Sequence, residues 1–159
     1  MPNYVSIKQK INFFKKKINV NGDKSLSIRC ALLASQALGK SRIYNLLKSE
    51  DVLSTLNCLK KLGTEIKIKK NLCEINGMAL NSFKFKKGLI INAGNSGTLG
   101  RLILAFLITS PHKIKLIGDK SLSKRDFSRV INPLKEFGAN FFPKNKKTLP
   151  LYIQGTKFL

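Results

Sequence analysis

The chain has 159 residues, enough for one ordinary domain with a real core, and 43% of them are hydrophobic, which is typical of a soluble globular protein. Its formal net charge of +22 indicates anionic partners, whether small metabolites, nucleic acid or an anionic membrane surface. No run of residues approaches the roughly 20 apolar positions that a membrane-spanning helix needs, and the N-terminus has no secretion signal, so we expect a cytoplasmic protein.

The first half of the chain predicts the order β-α-β-α-β-β. Apolar periodicity, polar capping residues and glycine stops define the boundaries. In chain order, the predicted elements are a strand ending at 18–20, a helix over 25–38 that Gly39 stops, a strand over 41–46, a helix over 49–62, and two antiparallel strands over 64–69 and 72–75. The first helix has apolar positions around most of its circumference, so we expect it to be buried on most sides.

The second half of the chain repeats this order. Its predicted elements are a strand over 88–92, a helix over 96–109, a strand over 113–117, a helix over 125–137, and two strands over 139–142 and 149–153. Corresponding elements are offset by about 72 to 75 residues. The sequence therefore predicts an α/β (α+β) fold of two β-α-β-α-β-β units with buried helices, unit one at about 18–78 and unit two at about 86–155.

Two polar turns, at 21–29 and 94–101, each lie between a predicted strand and an apolar helix. Backbone N–H groups at a helix start are unpaired and carry partial positive charge, so they bind anions well. These turns indicate a substrate that carries phosphate or carboxylate. The hexapeptide Gly-Asp-Lys-Ser-Leu-Ser occurs at 22–27 and again at 118–123, an offset of 96 residues that differs from the offset of the units. The second copy is therefore a reused anion-binding turn or a coincidence.

Lysine dominates the basic residues, and only five of the thirty are arginine. A lysine excess spread over every segment is also what a compositionally biased genome produces, so the charge alone does not identify the partner. Arginine is better suited than lysine to two-pronged recognition of phosphate or carboxylate. Arg29 and Arg101 lie in the two polar turns, and Arg125 follows the second copy of the hexapeptide. These three arginines are therefore the stronger candidates for ligand binding.

The three cysteines, Cys30, Cys58 and Cys73, have no metal-ligand spacing. Their odd number and scattered positions argue against a disulfide framework and favour a reducing compartment, and we expect them to be small buried hydrophobic residues. His112 is the single histidine, which excludes a multi-histidine metal site, and we expect it to lie in solvent.

Three segments resemble, in order and spacing, the motifs of the 5-enolpyruvylshikimate-3-phosphate synthase family, the 3-phosphoshikimate 1-carboxyvinyltransferases. They are Gly-Asp-Lys-Ser-Leu-Ser-Ile-Arg at 22–29, Gly-Asn-Ser-Gly-Thr-Leu-Gly-Arg at 94–101 and Gly-Asp-Lys-Ser-Leu-Ser-Lys-Arg at 118–125. The runs at 49–51 and 149–155 also fit, so the resemblance covers nearly the whole chain from about Ile18. A sister family transfers the same group to a UDP-amino sugar, but it typically has Lys-Asn where this chain has Lys24-Ser25.

The resemblance implies the enolpyruvyl-transferase fold, with about two of its six units present, and a chain that is the N-terminal part of a longer enzyme. Residues 1–20 are then a strand segment leading to an absent second domain, and 21–159 are a partial domain. The implied reaction moves the enolpyruvyl group from phosphoenolpyruvate to the 5-hydroxyl of shikimate 3-phosphate and releases phosphate, in aromatic amino-acid (chorismate) biosynthesis. It uses no metal and no organic cofactor. We expect this chain alone to be inactive and the full-length protein to be a monomer.

The resemblance also implies roles for individual residues. Lys24 is the expected catalytic residue and contacts both substrates. Ser25 and Arg29, together with Lys24, are expected to bind shikimate 3-phosphate. Besides Lys24, the expected phosphoenolpyruvate-binding residues are Asn95, Gly97, Thr98, Arg101 and Arg125. No residue is expected to bind a metal.

Simpler interpretations remain open. Ser25 suits a helix cap, and Arg101 suits a structural ion pair. Asp126, which follows Arg125 where the family usually has proline, is a candidate partner that would neutralise Arg125. For the whole chain, the alternatives are a basic nucleic-acid-binding module and an inactive repeat protein that binds an anionic metabolite. The sequence has no recognised nucleic-acid motif, so we expect small anions rather than nucleic acid or membranes as partners.

Overall fold

Seven strands and four α-helices alternate along the described chain in an order that nearly repeats itself. The computed structural model describes residues 6, 8–10 and 12–156. The helices are α1 (Lys24–Gln36), α2 (Glu50–Lys61), α3 (Gly97–Phe106) and α4 (Ser128–Glu136). The strands are β1 (Leu38–Tyr44), β2 (Glu65–Ile68), β3 (Leu72–Met78), β4 (Ile90–Asn92), β5 (Ile114–Ile117), β6 (Asn140–Phe142) and β7 (Leu151–Gln154). No helix in this part of the chain has the length and apolar character needed to cross a bilayer.

The two halves form two sheets of closely related topology. In the first sheet the strand order is β1-β3-β2, and both neighbouring pairs are antiparallel. In the second sheet the order is β4-β5-β7-β6, with β4 parallel to β5 and the other pairs antiparallel. The strands β5, β7 and β6 thus repeat the arrangement of β1, β3 and β2. The predicted α/β fold with two related halves is confirmed.

The first unit differs from the prediction at its start. Residues 12–23 form neither strand nor helix, so the strand predicted to end at 18–20 is wrong. The side-chain amide of Asn45 donates a hydrogen bond to the Val20 carbonyl oxygen (3.3 Å), and both Ile18 and Val20 are exposed. A strand is held by the backbone of a neighbouring strand, whereas this carbonyl is bound by a side chain.

The helix α1 ends at Gln36, earlier than the predicted stop at Gly39. Gly39 instead lies in β1, where it adopts a φ of 77°. The helix ends early because β1 starts at Leu38 and pairs with β3 over all seven of its residues. Gly77 of β3 permits this close crossing, since a Cβ there would lie 2.1 Å from the Ala37 carbonyl oxygen.

The helices tie the two sheets together through one hydrophobic core. The helix α1 packs against α2, against β3 of the first sheet and against α3 of the second unit, and α2 contacts β4 of the second sheet. The largest fully buried side chains are Phe127, Ile28, Leu32, Leu56, Leu59, Leu62, Ile75, Ile91, Leu99, Ile103, Leu104 and Leu107. Because truncating such a side chain leaves a cavity, Leu104→Ala is expected to cost about 2–5 kcal/mol of stability.

The helix α1 buries one face only, in contrast with the expectation that most of it is covered. Ile28, Ala31, Leu32 and Ser35 follow the spacing of one helical face and are buried. On the opposite face, Leu26 and Leu33 are 60% and 65% exposed. Cys30 lies on this outer face and is exposed, so the expectation of a buried cysteine is wrong at this position.

The other two cysteines are buried, as expected. Burial raises the pKa of the Cys58 thiol to about 12 and also raises the pKa of Cys73. Both thiols therefore stay protonated and behave as small hydrophobic groups. His112 is partly buried rather than fully in solvent, because its ring meets the Phe85 ring edge-on with the centroids 6.1 Å apart.

Candidate functional site

Three helix starts meet at one cavity of about 400 Å³, called here the cationic cavity. Lys24 opens α1, the pair Glu50 and Asp51 opens α2, and Gly97 opens α3. The residues that line it are Lys24, Glu50, Asp51, Asn95, Gly97, Thr98, Arg101 and Arg125. Helix N-termini carry partial positive charge from unpaired N–H groups, so the backbone adds to the charge of the lysine and the arginines.

The start of α1 is fixed by its capping aspartate. The Asp23 carboxylate accepts a hydrogen bond from the Leu26 N–H (2.7 Å), and the Asp23 carbonyl accepts one from the Ser27 hydroxyl (2.6 Å). Asp23 rather than Ser25 is therefore the cap. Lys24 follows directly, and its ammonium nitrogen forms an ion pair with the Asp51 carboxylate (2.9 Å).

The start of α3 brings two guanidinium groups close to the helix backbone. The Ser96 hydroxyl caps the helix by accepting a hydrogen bond from the Leu99 N–H (3.2 Å). A Cβ at Gly97 would lie 2.8 Å from Nη1 of Arg125 and 3.2 Å from Nη1 of Arg101. Glycine at this position therefore lets both arginines approach the helix N-terminus.

Neither arginine of the cavity has a carboxylate partner among the described residues. Arg125 donates to the Asn95 side-chain oxygen (3.2 Å), and Arg101 donates to the Asp126 backbone oxygen (3.2 Å). The Arg101 guanidinium carbon also lies 5.4 Å from the centroid of the buried Phe127 ring, a cation–π distance. Both guanidinium groups thus keep donors for a ligand, because each has five.

Asp126 does not neutralise Arg125, contrary to the pairing considered from the sequence. Its carboxylate accepts a hydrogen bond from the Ser128 N–H at the start of α4 (2.5 Å). The interpretation of Arg101 as a structural ion pair is also wrong, since its protein partners are a carbonyl oxygen and an aromatic ring.

The structure brings together six of the eight residues predicted for the site. The six are Lys24, Asn95, Gly97, Thr98, Arg101 and Arg125. The other two, Ser25 and Arg29, do not line the cavity and lie further along α1, where Ser25 is partly buried and Arg29 is exposed. Sequence reasoning missed Glu50 and Asp51 as cavity residues, because acidic residues in the first turn of a helix are explained by the helix dipole alone.

No group of His, Cys, Asp and Glu side chains within residues 12–156 is arranged to hold a metal ion. The guanidinium and ammonium groups and the backbone N–H donors of this cavity suit the binding of anions.

Comparisons with known proteins point to one family. The family model of EPSP synthase (3-phosphoshikimate 1-carboxyvinyltransferase) matches residues 8–158. Proteins named 3-phosphoshikimate 1-carboxyvinyltransferase from Caldicellulosiruptor saccharolyticus and Streptococcus pyogenes serotype M2 are each 40% identical, over 146 and 143 residues. These matches cover 91% and 89% of this chain but 33% of each relative. A solved structure of EPSP synthase from Acinetobacter baumannii has a TM-score of 0.81 at 34% identity, over 90% of this chain and 33% of that chain.

The fold and the cavity define an α/β protein of repeated units in which cationic side chains meet at helix N-termini. Within that class, the chain belongs to the EPSP synthase family. The family predicted from the three motifs is confirmed. The chain spans about a third of the length of the relatives it matches.

Proposed function

We propose that the cationic cavity binds phosphoenolpyruvate, and that shikimate 3-phosphate binds beside it along α1. In the complete protein, the enolpyruvyl group passes from phosphoenolpyruvate to the 5-hydroxyl of shikimate 3-phosphate, and phosphate leaves. The relatives are named for this activity. The single observation that carries the proposal is the convergence of Lys24, Arg101 and Arg125 on one cavity around Gly97.

The arrangement of donors suits phosphoenolpyruvate, which carries a carboxylate and a phosphate on a three-carbon frame. Arg101 and Arg125 approach the same helix start, where backbone N–H groups add further donors. Guanidinium groups bind carboxylate and phosphate through two parallel hydrogen bonds. Asn95 and Thr98 line the same cavity and shape it around the ligand.

Shikimate 3-phosphate is assigned to the continuation of this surface along α1. Ser25 follows Lys24 directly, and Arg29 lies five residues after Lys24, so both are near the lysine on the helix without lining the cavity. Lysine is a compact charge on a flexible chain, which suits a position between two anionic ligands. In this proposal Lys24 contacts both substrates and is the catalytic residue contributed by this chain.

The reaction brings together two anionic substrates, so it needs a cationic environment around them. The 5-hydroxyl oxygen loses its proton as it bonds to C2 of phosphoenolpyruvate, and the methylene carbon of phosphoenolpyruvate takes up a proton to become a methyl group. The tetrahedral intermediate then expels phosphate while this methyl group loses a proton, which restores the double bond. Fixed cationic donors stabilise such charge best in a site that excludes water. The Lys24 side chain is 51% exposed, so the cavity is open to solvent in this chain. We therefore expect weak binding and no turnover by these 159 residues alone.

The wider setting belongs to the same proposal. We place the protein in the cytoplasm, in aromatic amino-acid biosynthesis, with small anions rather than nucleic acid as partners and with a monomeric full-length form. The buried free thiols of Cys58 and Cys73 support a reducing compartment. We assign residues 1–20 to a connection with a second domain and residues 21–159 to a partial domain of two units.

The proposal is tested by titrating the 159-residue chain with ligands under NMR observation at fixed ionic strength. Phosphoenolpyruvate is expected to shift the amide signals of Asn95, Gly97 and Thr98, and shikimate 3-phosphate those of Ser25 and Arg29. Sulfate and a UDP-amino sugar serve as matched anions. Equal responses to all four anions would contradict the assignment, and a stronger response to the UDP-amino sugar would favour the sister activity.

Two further measurements bound the proposal. Release of phosphate from phosphoenolpyruvate plus shikimate 3-phosphate is expected to be absent, and steady release would refute the statement that the chain alone is inactive. A titration with single-stranded DNA across a salt series tests the nucleic-acid alternative suggested by the charge of +22. Tight DNA binding with a steep dependence on salt would favour that alternative.

A further inference from the structure

Asp51 places a carboxylate inside a cavity that also holds the cations Lys24, Arg101 and Arg125. Its side chain is 18% exposed, and its Oδ2 lies 2.9 Å from the Lys24 ammonium nitrogen. A carboxylate opposes the binding of an anionic ligand by direct repulsion. Asp51 can aid ligand binding only if another of its interactions outweighs this repulsion.

The two partners of this ion pair differ in freedom. Asp51 is held at the start of α2, where its carbonyl oxygen accepts a hydrogen bond from the Thr55 hydroxyl (2.9 Å) and the next residue, Val52, is fully buried. The Lys24 side chain is 51% exposed, and lysine has four flexible carbons before its charge. The fixed carboxylate of Asp51 can therefore restrict the mobile ammonium group of Lys24, whereas the ammonium group is not needed to hold Asp51 in place.

Glu50 offers a natural comparison within the same cavity. It is the first residue of α2, lines the cavity beside Asp51, and forms no ion pair among the described residues. Both acidic residues share the favourable interaction with the α2 dipole. They differ in that one of them holds Lys24.

We propose that Asp51 is a positioning residue for Lys24, which fixes the ammonium group at the edge of the cationic cavity before a ligand arrives. This inference rests on the proposed function of the cavity. An ammonium group has three donors, so one bond to Asp51 leaves two for ligand oxygens. Lys24 then binds its ligand without losing side-chain freedom at that step, which makes binding tighter.

The first experiment needs no ligand. In the 159-residue chain labelled with ¹³C-lysine, the ε-carbon signal of Lys24 is identified by its loss in Lys24→Arg, and its motion is measured by the heteronuclear NOE. The Lys24 side chain is expected to be more ordered than that of the exposed Lys120, and to match Lys120 in Asp51→Ala. Unchanged order of Lys24 in Asp51→Ala would overturn the proposal.

The second experiment compares phosphoenolpyruvate affinity in Asp51→Ala and Glu50→Ala, matched changes that each remove one carboxylate. Loss of positioning is expected to weaken binding about threefold to fivefold in Asp51→Ala, the range of an exposed ion pair. Glu50→Ala is expected to bind more tightly than wild type, since repulsion is relieved while the ion pair between Lys24 and Asp51 is kept. Equal effects of the two changes would refute a role specific to Asp51.

Two variants separate positioning from a general loss of structure. In a Lys24→Met background, Asp51→Ala is expected to have no further effect on affinity, because its effect acts through the lysine. Asp51→Asn keeps an oxygen acceptor and is expected to recover binding to within about twofold of wild type. Failure of the wild-type chain to bind phosphoenolpyruvate would contradict the proposed function, while the lysine measurement would still decide whether Asp51 orders Lys24.

Discussion

The two copies of Gly-Asp-Lys-Ser-Leu-Ser share two hydrogen bonds and differ in their surroundings. In each, the aspartate carboxylate accepts a hydrogen bond from the leucine N–H three residues later, at 2.7 Å for Asp23 and 2.6 Å for Asp119. The aspartate carbonyl also accepts one from the serine N–H four residues later, at 3.0 Å and 2.9 Å. Six identical residues thus form the same two hydrogen bonds in both copies.

The residues that follow decide what each turn becomes. The first copy continues into the 13-residue helix α1, whereas the second gives a three-residue 3-10 turn, after which Phe127 enters the core. Lys24 of the first copy lines the cationic cavity, whereas Arg29, which follows that copy, does not. At the second copy the order is reversed, since Arg125 lines the cavity and Lys120 does not. A shared motif therefore determines local geometry, and the fold determines which of its cations is available for a ligand.

The lysines of the two copies give the largest expected contrast. Lys24→Met removes a charge from the cavity and is expected to weaken phosphoenolpyruvate binding about tenfold or more, as expected for loss of a charged hydrogen bond. Lys120→Met removes the same charge from the same hexapeptide and is expected to change affinity less than twofold. Isothermal titration calorimetry of both variants checks this, and similar losses would mean that net charge rather than the cavity binds the ligand.

The glycine at the third helix start gives the next effect. Gly97→Ala is expected to weaken phosphoenolpyruvate binding about fivefold to tenfold, because its Cβ would lie 2.8 Å from Nη1 of Arg125, so the guanidinium must move. Gly100→Ala, one turn along α3, places its Cβ 3.4 Å from the Phe127 ring, an ordinary contact, and serves as the control. Comparable affinities of the two variants would remove Gly97 from the site.

The aspartates of the two copies test whether the same hydrogen bond contributes equally to the free energy of unfolding. Asp23→Ala is expected to lower the free energy of unfolding by about 1 kcal/mol, because it uncaps a helix that packs on the core. Asp119→Ala is expected to cost less, because the hydrogen bond that its carboxylate accepts from the Leu122 N–H holds a turn of only three residues. Urea denaturation of both variants measures the difference, and a larger loss for Asp119→Ala would reverse the interpretation.

The smallest expected effect is a difference in the reactivity of the thiols. At pH 8, an alkylating reagent is expected to modify Cys30 first, because it is exposed. The raised pKa of about 12 keeps the buried Cys58 thiol protonated, and only the thiolate reacts quickly. Mass spectrometry after partial labelling checks the order, and early modification of Cys58 would show that the core opens readily.

Most of the fold could be predicted because its signals are local. Alternating apolar residues, polar caps and glycine stops gave the order of the helices and of the strands from β1 onward. The region at 18–20 was wrongly predicted as a strand, because extended apolar residues form a strand only where a neighbouring strand pairs with them. Residues 12–23 are not part of any strand. The end of α1 was also missed, because it is set by the pairing of β1 with β3.

The candidate site was predictable as far as its turns carry recognisable motifs. Lys24, Gly97 and Arg125 come from three separate motifs, and the structure places all three around one cavity. Asp51 was missed because its contact with Lys24 depends on the packing of α1 against α2, which no local pattern reveals.

The second sheet has a strand, β4, beside β5, whereas the first sheet has no matching strand beside β1 among the described residues. This difference affects how the chain behaves at high concentration. Within residues 12–156 no strand pairs with the outer edge of β1, and Leu38 and Tyr44 at its two ends are 87% and 69% exposed. Such an edge can pair with another copy of itself, a route to aggregation. Lys40 in the same strand and the net charge of +22 oppose this through like-charge repulsion, which salt screens. Concentrated stocks are therefore expected to stay clear in dilute buffer and to become turbid as salt is added.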